Sequence, residues 1–288
     1  MDSISIKAYG KINLGLDVLR RREDGYHEVK MIMQTVNIYD KLHMKKIDED
    51  IIKLGVNVPS LEADESNLVY KAIKLIKDSY GIKGGVDAYL EKNIPIAAGM
   101  AGGSADCAAA LRGMNELYDL GLSIDTLCEL GEKLGADVPF CVVGGTMLAE
   151  GIGEILTPLK AVQGDYLVIA KPSIDVPTKY VYENLNVNEG KRVHPNIDIQ
   201  LEAIEAGDND LMYENMGNIL ESVTIQKYGV IEEIKQDLIK LGAKAAMMSG
   251  SGPTVFAIFG DEKAAYNAKE GIKGKFKLDT LAVTTYKN

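Results

Sequence analysis

The 288-residue chain is poor in the residues that most often announce a site, with only three cysteines and three histidines. Cys107, Cys128 and Cys141 form no C-x-x-C pair and stand in apolar surroundings. Buried, reduced thiols are therefore expected, which fits the cytoplasm and excludes a disulfide framework. His27, His43 and His194 lack the spacing of a metal motif. Neither a G-x-S-x-G elbow nor an H-E-x-x-H motif occurs. No apolar run is long enough to cross a bilayer, and the first residues lack the basic start and long apolar run of a signal peptide. Positive charge is short as well: 32 Lys and Arg against 42 Asp and Glu leave a net charge of -10, which argues against a nucleic-acid partner. Internal repeats and low-complexity tracts are absent.

What is present is a loop of small residues. Pro95-Ile96-Ala97-Ala98-Gly99-Met100-Ala101-Gly102-Gly103-Ser104-Ala105 runs into an alanine-rich helical stretch. Small residues let backbone N–H groups approach a bulky anion, and the helix that follows aims its unpaired N–H groups at the same point. Phosphate is the expected occupant. The loop is not a P-loop, because no lysine follows Gly103, and its glycines do not fit G-x-G-x-x-G. The plain alternative is a glycine-rich turn that packs a helix close to a strand.

Apolar residues make up 46% of the chain, ordinary for a soluble enzyme with one large core or two adjoining ones. Ile12, Leu14, Leu16 and Val18 alternate with polar or small residues, a half-buried strand. Further strands are expected at 29–36, 41–46, 51–56 and 86–90. Helices are expected at 68–79, capped by Ser66 or Asn67, and at 104–118 and 124–134. Gly135 to Pro139 reads as a tight turn and 141–149 as a returning strand. Beyond a strand at 167–170 come helices at 197–206, 230–241 and 262–273, with strands at 243–248, 254–259 and 278–285. Runs of strands mixed with runs of helices place the chain in the α+β class, divided near residue 160.

Four groups of residues could carry chemistry, and each has a plain alternative. Lys11 and Asn13 share one face of the first strand: a cation aimed at phosphate, or a solvated lysine on an exposed face. Asp137, flanked by apolar residues, is a base that accepts a hydroxyl proton, or a turn former. Tyr26 and His27 offer a stacking and hydrogen-bonding edge for a flat ring, or simply flank a hairpin. Ser249-Gly250-Ser251-Gly252-Pro253-Thr254 is a second backbone wall facing an anion, or a hairpin turn.

Three of these segments together resemble the motifs of the GHMP kinase superfamily: Lys11-Ile12-Asn13-Leu14, the loop from Pro95 to Ser104, and Ser249 to Phe256. Within that superfamily, Ala8 to Leu14, Asp24-Gly25-Tyr26-His27, Gly135 to Phe140 and Ala149 to Glu154 are similar, over essentially the whole chain, to one branch. Its members phosphorylate the tertiary 2-hydroxyl of a methylerythritol unit carried on a cytidine diphosphate, in the non-mevalonate isoprenoid route. The resemblance implies a two-domain α+β fold. A ribosomal-S5-like ATP-binding half would span 1–160, and a ferredoxin-like substrate-side half 161–288. It implies ATP as co-substrate, Mg²⁺, and a small-molecule partner bearing cytidine diphosphate, with no nucleic acid or membrane and a monomeric or homodimeric state.

Residue by residue, the resemblance places the catalytic base on Asp137, with Lys11 as its partner. Pro95 to Ala105 falls on the ATP loop. Asn13, Tyr26, His27, Thr178 and Tyr182 fall on substrate-holding positions, with His27 at the cytosine edge and Tyr182 on its face. The family's second loop serine is Ala105 here, so Ser104 is the one side chain that could touch Mg²⁺. Met100 replaces a leucine at similar volume. A homoserine or mevalonate kinase would have no use for rings at 26, 27 and 182. An S5-like RNA-binding module is disfavoured by the acidic charge, and a nucleotide sensor by Lys11 and Asp137.

Overall fold

The computed structural model describes residues 2–186 and 194–288. In chain order, β1 (Ser3–Arg21), β2 (His27–Ile47) and β3 (Ile52–Val56) precede α1 (Leu68–Tyr80) and β4 (Gly85–Glu91). Three helices follow, α2 (Gly102–Leu117), α3 (Ile124–Glu132) and α4 (Val138–Val143), then β5 (Thr146–Glu150), β6 (Ile155–Pro158) and β7 (Tyr166–Pro172). Next come α5 (Thr178–Glu183), α6 (Ile197–Ala206), α7 (Asn209–Glu214), β8 (Gly217–Asn218), α8 (Glu221–Lys227) and α9 (Val230–Lys240). β9 (Ala245–Met248), β10 (Val255–Phe259), α10 (Glu262–Ile272) and β11 (Leu278–Thr285) complete the chain. The mixture is α+β, as expected.

These elements form two compact units. The first comprises residues 2–10, Ile38–Ile94 and Ala101–Val143. The second comprises Lys11–Asn37, Pro95–Met100 and the described part of Gly144–Asn288. The first 160 residues thus contribute to both.

In the first unit, β4 pairs antiparallel with the end of β2 and parallel with β3. Helix α1 shows why the local sequence suffices. The Asn67 side chain accepts from Val69 N, Gly81 closes the helix in the left-handed region, and Val69, Ala72, Ile73 and Ile76 form its buried stripe. Helix α2 is buried along most of its length, and its small side chains let it lie close to α1 and α4.

In the second unit, β5 pairs with the start of β2 and with β6, while β8 adds to β1. A separate antiparallel sheet has the order β11-β7-β10-β9. All five residues of β10 are buried, including Phe256 and Phe259, and α9 and α10 pack against this sheet.

Two expectations are corrected. Residues 29–36 and 41–46 belong to one strand, β2, 21 residues long. Asp40 lies within it, and its carboxylate accepts from the backbone N–H groups of Asn93 and Ile94. The turn expected at 135–139 is present at its start, where Val138 N donates to Gly135 O, but the strand expected from 141 begins only at Thr146, because Val138–Val143 is helix α4. Its apolar, β-branched run reads as a strand, yet Pro139 is tolerated in a first turn, whose N–H groups have no helical partner. Gly144 and Gly145, both at positive φ, end the helix before β5 begins.

Candidate active site

Strand β1 carries the first pair of candidate residues into the interior. Lys11 is 5% exposed and Asn13 fully buried, so the alternative of a solvated lysine fails. Lys11 Nζ donates to Asn13 Oδ1 at 2.7 Å, and Asn13 Nδ2 donates to Met31 Sδ at 3.5 Å. The backbone N–H of Lys11 donates to Met100 O, which docks β1 onto the last residue of Pro95–Met100. A buried ammonium held against an amide oxygen keeps a positive charge in one place, as an anion-stabilising group requires.

The small-residue loop is shaped by its backbone. Ala97, Gly99 and Ala101 all have positive φ. A Cβ on Gly99 would lie 2.0 Å from Ser249 O, and Ser249 Oγ donates to Gly99 O at 2.9 Å. The second glycine-rich segment therefore packs backbone to backbone on Gly99. Its own turn closes through Gly252 N donating to Ser249 O and Ser249 N donating to Thr254 O. Asn218 Nδ2 steadies it by donating to the carbonyls of Met248 and Gly250.

Ala101, at φ 55, begins α2 without any side-chain cap. The helix starts at Gly102, two residues before the expected Ser104. Gly103 is exposed, Gly102 and Ser104 half-exposed, and Ala105 buried. Uncapped N–H groups at an accessible helix start are what an anion needs.

Asp137 is half-buried and immediately precedes α4, where its backbone carbonyl accepts from Cys141 N. The short helix thus fixes the position of the carboxylate.

A third group forms around β2 and α5. The rings of His27 and Tyr182 lie 5.2 Å apart, centroid to centroid, inclined at 42°. The His27 imidazole is held below its ordinary range, chiefly by burial and further by the charge of Arg21. A neutral imidazole can both donate and accept. Tyr26 is 62% exposed. Thr178 opens α5, and its Oγ1 lies 2.8 Å from Ser251 Oγ. Thr178 and Tyr182 are four residues apart on one helix face, so α5 connects the ring pair to the second glycine-rich turn.

Sequence reasoning missed three polar clusters. Lys92 reaches both Asp40 and Asp106 in the first unit. In the second, His194 Nδ1 lies 2.7 Å from Asp17 Oδ1, and Tyr213 donates to Asp165. Asp106 was the visible signal, a carboxylate beside the alanine run of α2. Of the cysteines, Cys107 is buried while Cys128 and Cys141 are only half-buried, short of the burial expected for all three. Among the described residues, no group of three or more His, Cys, Asp or Glu could hold a metal ion, and no helix is long and apolar enough to cross a membrane.

Comparison with known proteins accounts for this arrangement. Residues 67–145 match the GHMP kinases N terminal domain and residues 200–278 the GHMP kinases C terminal domain. A 4-diphosphocytidyl-2-C-methyl-D-erythritol kinase of Lachnospira eligens is 52% identical over 275 residues, covering 96% of this chain and 95% of the relative. The protein of that name from Clostridium perfringens is 48% identical over 281 residues, covering 98% and 97%. A crystal structure of a 4-(cytidine 5'-diphospho)-2C-methyl-D-erythritol kinase superposes with a TM-score of 0.83 at 31% identity, over 99% of this chain and all of the other. A homoserine kinase from Cytophaga hutchinsonii, at 21% identity and a TM-score of 0.76 over 99% and 95% of the chains, shares the fold.

Proposed function

The chain belongs to the 4-diphosphocytidyl-2-C-methyl-D-erythritol kinase family of the GHMP kinases, and from that membership we propose the reaction and the roles of its residues. The γ-phosphoryl group of ATP passes to the tertiary 2-hydroxyl of 4-diphosphocytidyl-2-C-methyl-D-erythritol, in the non-mevalonate route to isoprenoid precursors. The observation that carries the substrate assignment is the His27–Tyr182 ring pair. A flat base can use such a pair, whereas homoserine and mevalonate have no base to offer it.

A tertiary alcohol is a poor nucleophile, so catalysis rests on positioning and charge stabilisation. Asp137 orients the hydroxyl and accepts its proton as the new O–P bond forms and the bond to the ADP oxygen breaks. Lys11 stabilises charge on the moving phosphoryl group. Backbone N–H groups from Gly99 to Ser104 cradle the ATP phosphates, within a loop that runs from Pro95 to Ala105. Asn13, Tyr26 and Thr178 orient the substrate, His27 reads the cytosine edge, and Tyr182 stacks on its face.

The donor set fits Mg²⁺ held mainly by the nucleotide, with the Ser104 hydroxyl as the protein oxygen available at the start of α2. A bound ion would supply positive charge against the phosphates. The division into an ATP-binding half at 1–160 and a substrate-side half at 161–288 belongs to the same reading. So do a cytoplasmic setting, no nucleic-acid partner, and a monomer or homodimer.

Phosphorus NMR of the reaction mixture tests the assignment. Stoichiometric ADP and one new phosphomonoester on carbon 2 are expected. ATP left intact in the presence of the cytidine substrate would refute it.

A further inference from the structure

The most concentrated buried charge in the first unit lies outside the residues assigned to catalysis. The Lys92 side chain is 5% exposed, that of Asp40 0% and that of Asp106 6%. Lys92 Nζ donates to Asp40 Oδ2 and, at 2.6 Å, to Asp106 Oδ2. Asp40 Oδ1 in turn accepts from the backbone N–H groups of Asn93 and Ile94. These are the last two residues before Pro95. Asp106 lies one turn into α2, which starts directly after Ala101.

One ammonium therefore joins the chain that enters the small-residue loop to the helix that leaves it. The joint lies close to the helix start. A Cβ added to Gly102 would sit 3.3 Å from Lys92 Nζ and 3.2 Å from Ile94 Cγ2. Such contacts leave little freedom for the two ends of the loop to move apart.

Stability is a poor explanation for this arrangement. A buried ion pair is often no more stabilising than apolar residues of the same volume. Two carboxylates sharing one cation are worse, and among the described residues Asp106 Oδ1 has no hydrogen-bond partner although it is buried. In some proteins buried ionic groups serve to fix placement, and here what they join are the two ends of the loop. The burial that raises the Asp106 carboxyl, to about 8, favours its uncharged form. That form leaves the cluster neutral beside the helix start, where a net negative charge would repel phosphate.

We infer that Lys92, gripped by Asp40 and Asp106, is a positioning residue that fixes both ends of the phosphate loop for nucleotide binding. The inference rests on the kinase reading. It acts through the loop, so it should appear in the affinity for ATP and not in the affinity for the cytidine substrate.

The test combines steady-state kinetics with calorimetry of a non-hydrolysable ATP analogue. Asp106→Ala cuts the joint on the helix side without stranding a buried lysine far from Asp40. It should raise the KM for ATP by about tenfold or more, with kcat and the cytidine-substrate KM nearly unchanged. Asp106→Asn keeps an oxygen acceptor for Lys92 and should restore the ATP KM. A purely structural cluster would instead lower the melting temperature and leave the ATP KM of the folded protein alone, which would overturn the inference. A readout on the unaltered chain guards against variants that fail to fold. The analogue should slow amide exchange at Asn93 and Ile94, and unchanged exchange there would overturn the inference too. Failure of the unaltered chain to bind the analogue at all would instead remove the kinase reading on which the inference stands.

Discussion

Replacing Gly99 by alanine adds one methyl group where the backbone leaves no room. Gly99 sits at φ 70, where a residue with a Cβ costs about 1–2 kcal/mol. The new Cβ would lie 2.0 Å from Ser249 O, a backbone atom that no rotamer change can move. Relief requires the turn at 249–254 to shift, an overpacking cost of about 1–3 kcal/mol. The bond from Ser249 Oγ to Gly99 O, 2.9 Å long, would go with it, a further loss of about 0.5–1.5 kcal/mol. Together these come to about 2.5–6.5 kcal/mol, and at roughly 2–4 °C per kcal/mol the melting temperature should fall by about 5–25 °C.

Gly103→Ala is the matched control in the same loop. Its Cβ meets only Leu68 Cδ1 at 3.5 Å, an ordinary contact, and its backbone is already helical. Alanine is favoured over glycine in a helix by roughly 0.5–1 kcal/mol, so this variant should melt no lower than the parent. It should nevertheless lose ATP affinity, because the methyl group stands at the uncapped helix start. Thermal melts followed by circular dichroism, with calorimetry of ATP-analogue binding, give both readouts. A Gly99→Ala protein melting with the parent would refute the close approach of the two loops. An undiminished ATP affinity in Gly103→Ala would refute the placement of the phosphates.

Four further outcomes are expected. Asp137→Asn should lower turnover by roughly two to four orders of magnitude while leaving ATP-analogue binding nearly unchanged; near-parental turnover would remove Asp137 as the base. Tyr182→Ala should weaken cytidine-substrate binding by about 1–3 kcal/mol, by analogy with base stacking elsewhere. In Arg21→Gln, which removes a charge that helps hold His27 low, the acid limb of the substrate KM should move to higher pH; a limb that stays put would contradict the proposed His27 contact. The Asp106 carboxyl, raised in the fold to about 8 chiefly by burial, favours the folded state when protonated. Its contribution is full below the ordinary carboxylate range and is lost as pH rises through about 8. Urea titrations should therefore show Asp106→Asn losing less stability than the parent between acid and mildly alkaline pH, and parallel profiles would refute the shift.

Local pattern was enough where local physics decides. Of the caps expected at Ser66 or Asn67 the structure uses Asn67, and α1, expected at 68–79, ends one residue later at Tyr80. Strand β11 has the limits expected for it, in a stretch rich in β-branched residues. Pattern failed at α4, where β-branched residues in a six-residue run cannot distinguish a strand from a helix. It left Lys11 undecided for another reason. Alternation in β1 marks one apolar face, but both faces are covered from Gly10 to Val18, which depends on residues far along the chain. The Lys92 cluster was illegible as a cluster because Asp40, Lys92 and Asp106 lie far apart in the chain, and the Asp106 signal alone does not say what it meets. The expectation that Tyr182 belongs near His27 came from family resemblance, since nothing around either residue points to the other.

The central claim, a kinase that needs a cytidine handle on its alcohol, is tested most directly by ADP release across a panel of acceptors. The panel is 4-diphosphocytidyl-2-C-methyl-D-erythritol, its uridine analogue, free methylerythritol phosphate, homoserine and mevalonate. Binding energy from the base should position the distant hydroxyl, so acceptors without it should lose kcat as well as affinity. The account predicts rapid release with the cytidine compound, weaker release with the uridine analogue, and almost none with the other three. Equal or faster turnover of homoserine or mevalonate would contradict it.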